Sequence, residues 1–422
     1  MLKLIKNLLW SPFTVLLVAA VGIIIGARNK FRAIKNPKKI LQNTIFSHEN
    51  SSGAFEAMCT ALGGTIGVGN TIGVAGAITE GGAGALFWMI VASFFGMIIK
   101  ESEIFLAVKY KGMFDKFSGP MLYIERGIGN KYFAVLWSIS CVITAFGMGN
   151  LSQSMAAVSS INAVTNIKKD ILGIAIAIIV FSVVSNGLSA IKKTLGACIP
   201  IITVLFVGFS LVILYIQRNE VLPSILYVFK SAFNFRSGIS GVKWSIFLSA
   251  LRAGFSRGIF TNEAGLGSAC IVHSSSNEST PERQASWGVL EVFIDTVLVC
   301  TITGLMILSS NIPQSVETEN LTLYVFGSSL GKTGSAFYAV SILIFAISSI
   351  LAWYFYAECS LKYLGIKDKY IKFFKIIFAL SSFLGGIINA ESILYISDIF
   401  NAIMLITNLT AIVLLSNETK SN

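Results

Sequence analysis

Charge is scarce in this sequence: 13% of its 422 residues are Asp, Glu, Lys or Arg, while 54% are hydrophobic, and the mean hydropathy is +0.75. Soluble domains carry charge at about 25% of positions, so water is excluded as the main solvent of the folded chain. Histidine is scarcer still. His48 and His273 are the only two, which leaves no His-rich metal site and no H-E-x-x-H protease motif. The six cysteines, Cys59, Cys141, Cys198, Cys270, Cys300 and Cys359, stand far apart without a C-x-x-C pair; they read as packing residues. No GxSG motif and no paired aspartates appear in the apolar segments, so an intramembrane enzyme lacks its nucleophile or its dyad.

What is present is apolar sequence in long runs. A helix needs about 20 mainly apolar residues to cross the hydrocarbon core. Eleven stretches qualify: 12–28, 54–79, 82–108, 132–161, 170–188, 196–216, 238–256, 286–310, 333–361, 370–388 and 394–415. They fill nearly the whole chain, so the reading is one all-α polytopic membrane domain. Lys3 and Lys6 before the first stretch resemble a signal peptide, but Arg28, Lys30 and Arg32 follow it without an A-x-A cleavage site, as in a retained helix.

The net charge of +11 sits in short loops rather than along one face, so it reports topology and not nucleic acid. Residues 28–39 carry Arg28, Lys30, Arg32, Lys35, Lys38 and Lys39 with no acid. Lys109, Lys111, Lys116, Arg126 and Lys131 follow the third stretch, Lys192 and Lys193 the fifth, and Lys362, Lys367, Lys369, Lys372 and Lys375 the ninth. Basic loops stay cytoplasmic, which puts the N-terminus outside and the C-terminus inside. The membrane is then a cell membrane, bacterial by the richness in Lys, Asn and Ile.

Setting the first stretch aside leaves two sets of five with opposite orientation, which permits an inverted repeat: 1–40 as an extra helix and basic loop, 41–228 and 229–416 as the halves, 417–422 as a tail. Transporters of that kind bind substrate near the midplane, where one helix of each half is broken. Gly63, Gly64, Gly67, Gly69, Gly73 and Gly76 crowd the middle of the second stretch, and glycine weakens a helix and admits a ligand to the backbone. Gly63 to Asn70 is the leading site; close small-xxx-small packing is the alternative, against which Thr65 and Asn70 add polar groups that packing does not need. In the second half the expected break is Gly238, Ser240 and Gly241. Lys243 then stands either at depth beside a partner or at the outer interface, snorkelling.

Two more stretches carry polar groups at helical spacing. Asn150 and Gln153 form an amide pair at i, i+3. Ser348 and Ser349 precede Ala352 and Trp353; such hydroxyls either ligate a hard cation or bond back to their own helix. Glu56, Asp295, Glu358 and Asp398 are carboxylates in apolar context and count as functional hypotheses by default, with structural roles for those near helix ends. The segment from Arg257 to Ala269, holding Asn262 and Glu263, reads as a cytoplasmic connection that gates or turns.

These motifs together resemble the alanine or glycine:cation symporter family, within the amino acid/polyamine/organocation superfamily. The resemblance is carried by GTIGVGN (64–70), GGAGALFWM (81–89), GPMLYIERGIG (119–129), GMGNLSQS (147–154), RGIFTNEAGLGSA (257–269), VFIDTVLVCT (292–301), SSILAWYFYAE (348–358) and ISDIFNAIM (396–404). It implies eleven helices in a LeuT-like five-plus-five inverted repeat with one extra N-terminal helix. It implies sodium-driven uptake of alanine or glycine by a monomer, with no cofactor besides the coupling ion. The substrate would meet Thr65, Gly67, Gly69, Asn70, Asn150, Gly241, Val242, Ser349 and Trp353. Sodium would meet carbonyls of Gly63, Ile66 and Phe345 and the hydroxyls of Ser348 and Ser349. This chain departs from the family's pattern in using serines for threonines at 348 and 349, Ala352 for a glycine, Glu56 for a glutamine, and Ser240 to Trp244 for a glycine-rich stretch. Another amino acid, proton coupling, or a transporter-derived sensor is the alternative function.

Overall fold

A backbone in hydrocarbon has no water to satisfy its N–H and C=O groups, so a spanning segment closes its hydrogen bonds within itself. The computed structural model describes Leu2, Leu9 and residues 12–47, 52–112, 117–233, 241–276, 280–388 and 391–419. All regular structure among these residues is helical. In chain order the main helices are α1 Pro12–Arg28, α2 Ser52–Thr65, α3 Ile72–Gly81, α4 Gly84–Tyr110, α5 Lys131–Phe146 and α6 Ser152–Thr165. There follow α7 Lys169–Ser185, α8 Leu188–Ile216, α9 Arg218–Ala232, α10 Gly241–Asn262, α11 Cys270–Ser274, α12 Pro281–Val292 and α13 Thr301–Leu308. The set closes with α14 Leu321–Tyr363, α15 Asp368–Gly385 and α16 Glu391–Leu414. Among the described residues helix occupies most of each apolar stretch named above. Among the described residues six helical runs are long and apolar enough to cross a membrane. Gly331 interrupts α14 with φ 64°, ψ −153°, so its long C-terminal part, from Lys332 onward, is the expected ninth stretch.

Solvation is inverted relative to a soluble protein. Ile174, Ile178 and Phe181 on α7, Val204 and Leu211 on α8, and Phe373 and Leu380 on α15 point outward, whereas Lys100, Glu103, Glu291 and Asp295 are fully buried. Lipid accepts the first group and would reject the second. The protein is a multi-pass membrane protein.

Several of the basic loops lie close together. Arg28 donates to the Val413 carbonyl at 3.2 Å and Asn29 to Thr419 at 3.2 Å, tying the first helix to the C-terminal end. Lys109 pairs with Glu418 at 2.9 Å, Arg32 with Glu101 at 2.7 Å, and Tyr363 donates to Glu125 at 2.8 Å.

A close helix crossing lies between α4 and α10. A Cβ on Gly254 would fall 2.1 Å from the Ala85 carbonyl oxygen, and one on Gly258 3.0 Å from that of Met89; this four-residue spacing is the small-xxx-small device that lets backbones touch in lipid. Gly254→Ala is expected to destabilise the protein by about 1–3 kcal/mol through overpacking, read as a lower thermal midpoint in detergent.

Candidate functional site

The first helix break falls where glycine crowds the sequence. α2 ends at Thr65, Gly67 is extended at φ −145°, ψ −150°, a single 3₁₀ turn covers Val68–Asn70, and α3 resumes at Ile72. A break in lipid leaves amides without partners, and side chains answer them. Asn70 Oδ1 accepts from Gly67 N at 3.0 Å, and Gln153 Oε1 accepts from Val68 N at 3.3 Å. Asn70 Nδ2 turns the other way, donating to Asp295 Oδ1 at 2.7 Å and to its carbonyl at 3.0 Å.

A second stretch of irregular backbone lies farther along the chain. Gly238 and Ser240 lie outside the described residues, as do the side chains of Gly241, Val242 and Lys243. From Gly241 the helix α10 runs unbroken to Asn262, and the irregular backbone comes after it. Glu263, Gly265 and Gly267 all have positive φ, at 54°, 91° and 78°, before α11 begins at Cys270. The segment 262–269 is therefore buried interior and not a surface connection: Asn262, Ala264, Leu266 and Ser268 are wholly inaccessible. Gly241 and Val242 begin α10, roughly 30 Å along the helix from this break at 1.5 Å per residue. The structure does not bring them to the other predicted residues. Asn262 mirrors Asn70: its Oδ1 accepts from Ala264 N at 3.0 Å, and its Nδ2 donates to Thr296 Oγ1 at 3.1 Å. Thr296 in turn donates to Asp295 Oδ2 at 2.7 Å, so one carboxylate joins both breaks.

Helix α14 forms the third wall. Ser349 Oγ donates to the carbonyls of Gly63 at 3.1 Å and Gly64 at 3.3 Å, and a Cβ on Gly67 would come within 2.6 Å of that hydroxyl. Gly63 and Ser349 are thus brought together. Ile66 and Phe345 are buried on the same two strands of chain, Phe345 against Phe206 at 5.7 Å between rings. Ser348 donates to its own helix at Ile344, 2.7 Å away, the back-bonding alternative, which leaves its lone pairs as acceptors.

Asn150 is placed elsewhere. The turn Gly147–Leu151 is π-helical, a wider turn than the α form, so Asn150 and Gln153 no longer share a face. Asn150 Nδ2 donates to the Phe378 carbonyl at 2.6 Å and Ser381 at 2.8 Å, and its Oδ1 accepts from Ser382 at 2.7 Å; it braces α15. Gln153 faces the first break instead. Gly149 makes room for Trp353, whose ring atoms would lie 2.3–2.8 Å from a Cβ there.

These walls enclose a cavity of about 930 Å³. Of the predicted residues Thr65, Gly69 and Trp353 line it, and Gln153, Phe260, Thr261 and Glu263 line it as well. Gln153 is visible in the sequence as half of the amide pair; Thr261 and Glu263 carry no local signal that separates a pocket from a connection. Gly67 and Asn70 stand behind the lining. Arg257 and Glu80 pair at 3.2 Å farther along the cavity.

Residues 1–422 match the profile of the "Sodium:alanine symporter family". The chain belongs to that family. The symporter is similar to the sodium/alanine symporter AgcS of Methanococcus maripaludis, at 32% identity covering 99% of this chain and 95% of the other. It is also similar to the probable sodium/glutamine symporter GlnT of Bacillus subtilis, at 28% identity covering 98% and 89%. Its fold is similar to that of a Na⁺-coupled sialic acid symporter, with TM-score 0.58 and 13% identity over 91% of this chain and 82% of that one. It is a transporter and not an enzyme.

Asn70→Ala uncaps Gly67 and strips a donor from Asp295, and is expected to cost about 1–3 kcal/mol. Asn150→Ala leaves the Ser382 hydroxyl without its acceptor and takes one of two side-chain donors from the Phe378 carbonyl, and is expected to cost a similar amount. Thermal unfolding of the purified variants checks both; a midpoint unchanged in Asn70→Ala would show that the break is held by other contacts.

Proposed function

We propose that the protein carries a small neutral amino acid, alanine or glycine, into the cell together with sodium. The observation that carries this reading is the cavity lining, which brings Thr65 at the end of α2 and Gly69 of the unwound segment together with Gln153 and Trp353. Unwound backbone beside a half-helix N-terminus attracts a carboxylate, and α3 begins at Ile72. Sodium would be held by oxygen: the carbonyls of Gly63, Ile66 and Phe345 and the hydroxyls of Ser348 and Ser349, of which Gly63 and Ser349 already meet.

Around this site the proposal is eleven crossing helices, as one extra helix before two inverted halves at 41–228 and 229–416. The basic face is cytoplasmic, so the cavity, which reaches Glu80 and Arg252, opens outward. The membrane is the plasma membrane and the working unit a monomer. A second reading is a larger neutral amino acid such as glutamine, favoured by a cavity roomier than alanine needs and by the glutamine symporter among the relatives.

Uptake of labelled alanine, glycine and glutamine into proteoliposomes, with and without an inward sodium gradient, tests the proposal. Sodium-driven alanine or glycine uptake is the expected result. Ser349→Ala should raise the sodium concentration for half-maximal uptake about tenfold, the equivalent of ~1.4 kcal/mol, and Gln153→Ala should raise the substrate KM. Accumulation of glutamine alone would replace the substrate, and binding without flux would make the protein a sensor.

A further inference from the structure

The chain leaves the first span through a turn built from residues other than glycine. Lys30 and Phe31 are both left-handed, at φ 55° and 54°, and Phe31 N donates to the Gly26 carbonyl at 2.7 Å. Beyond the turn Arg32 pairs with Glu101 at 2.7 Å and Ala33 is buried. Farther on Thr44 is buried, Asn43 donates to Ser286 at 3.1 Å, and Ser47 accepts from Arg283 at 2.6 Å. The segment is thus fastened at both ends. Between the fastenings, the short helix Pro37–Asn43 buries none of its residues.

What this segment turns outward is of two kinds. Leu41, Ile45 and Phe46 are 36%, 59% and 66% exposed, and Lys35, Lys38 and Lys39 are exposed beside them. The side chains of Lys38 and Lys39 make no hydrogen bond or ion pair with another described residue. Lys35 lies over the Phe31 ring, 5.7 Å from its centre. From Arg28 to Ser47 there are six basic residues and no acid. Of the acids on neighbouring elements, Glu101 is already neutralised by Arg32, and Glu282 lies across a groove from Phe46. The fold therefore leaves a surface that is apolar in part, cationic in part, and covered by none of its own elements.

Its place in the chain decides what covers it. The segment starts where α1 ends, at the mouth of an apolar helix, and so lies at the bilayer surface. There the acyl boundary accepts apolar side chains, while headgroup phosphates attract lysines held just outside it. Lysine suits both layers, its stem lying along apolar surface and its ammonium reaching out.

We propose that the segment from Lys35 to Phe46 is a docking surface for anionic phospholipid, with Leu41, Ile45 and Phe46 entering the acyl boundary of the adjoining leaflet and Lys38 and Lys39 meeting headgroup phosphates. The surface is separate from the cavity and does not rest on the symport reading.

Titration of the detergent-purified protein with short-chain phosphatidylglycerol or phosphatidylcholine, followed by the rise in thermal midpoint, tests the headgroup contact. Phosphatidylglycerol should bind about tenfold or more tightly than phosphatidylcholine. Lys38→Gln combined with Lys39→Gln should weaken phosphatidylglycerol binding about twenty-five-fold, about fivefold for each lysine, and leave phosphatidylcholine binding unmoved. Equal affinity for the two lipids, or an unmoved phosphatidylglycerol affinity in the double variant, overturns the proposal. Glycerol 3-phosphate carries the phosphate without acyl chains, and binding as tight as that of phosphatidylglycerol overturns the bilayer as occupant. A spin label on Ile45→Cys, in a Cys198→Ser background that removes the exposed native thiol, tests the apolar contact in phosphatidylglycerol nanodiscs. The label should collide with dissolved oxygen more readily than with a water-soluble nickel complex. The reverse order overturns the docking, as does a dimer by native mass spectrometry in which a second copy shields the label.

Discussion

The carboxylate of Asp295 is the constraint on which the site depends. Two helices are interrupted at membrane depth, and the freed amides have no water to turn to. Asn70 and Asn262 each accept one such amide with the side-chain oxygen and hand the side-chain N–H onward, one to Asp295 directly and the other through Thr296. A π-helical run, Phe293–Cys300, presents the carboxylate; such bulges recur at functional positions because they re-aim side chains. Buried networks of this kind strengthen when every member is satisfied, so the two breaks are held in one fixed relation.

That rigidity contrasts with the rim. The Arg257–Glu80 pair is 41% and 60% exposed, and exposed pairs contribute little. Water can replace either partner at small cost. The floor is thus set by buried hydrogen bonds between elements distant in sequence, while the rim carries an ion pair that exchanges readily. Alternating access requires such a division between a fixed site and a movable gate.

The α4–α10 crossing supports the same arrangement from below. Gly254 and Gly258 bring α10 against the α4 backbone, which delivers Asn262 and Glu263 to the level of Lys100 and Asp295. At that level Lys100 of α4, Glu291 of α12 and His273 of α11 meet in one buried cluster.

Local chemistry made the first break legible from residues 63–70 alone, because four glycines within eight residues weaken a regular helix and the cost is paid within that span. Lipid-facing stretches, the basic face and family membership were legible for the same reason: each follows from composition over short windows or from motifs read in place. The second break was not, since Gly238–Gly241 and Gly265–Gly267 offer similar local signals, and only packing against Trp137, Asn408 and Thr296 buries the latter pair. The exchange of Asn150 for Gln153 at the pocket came from a π turn that no spacing rule anticipates. Pairing of Lys100 with Glu291 and of Asn70 with Asp295 spans about half the chain, and contact at such separation is decided by how helices cross, which side-chain periodicity does not encode.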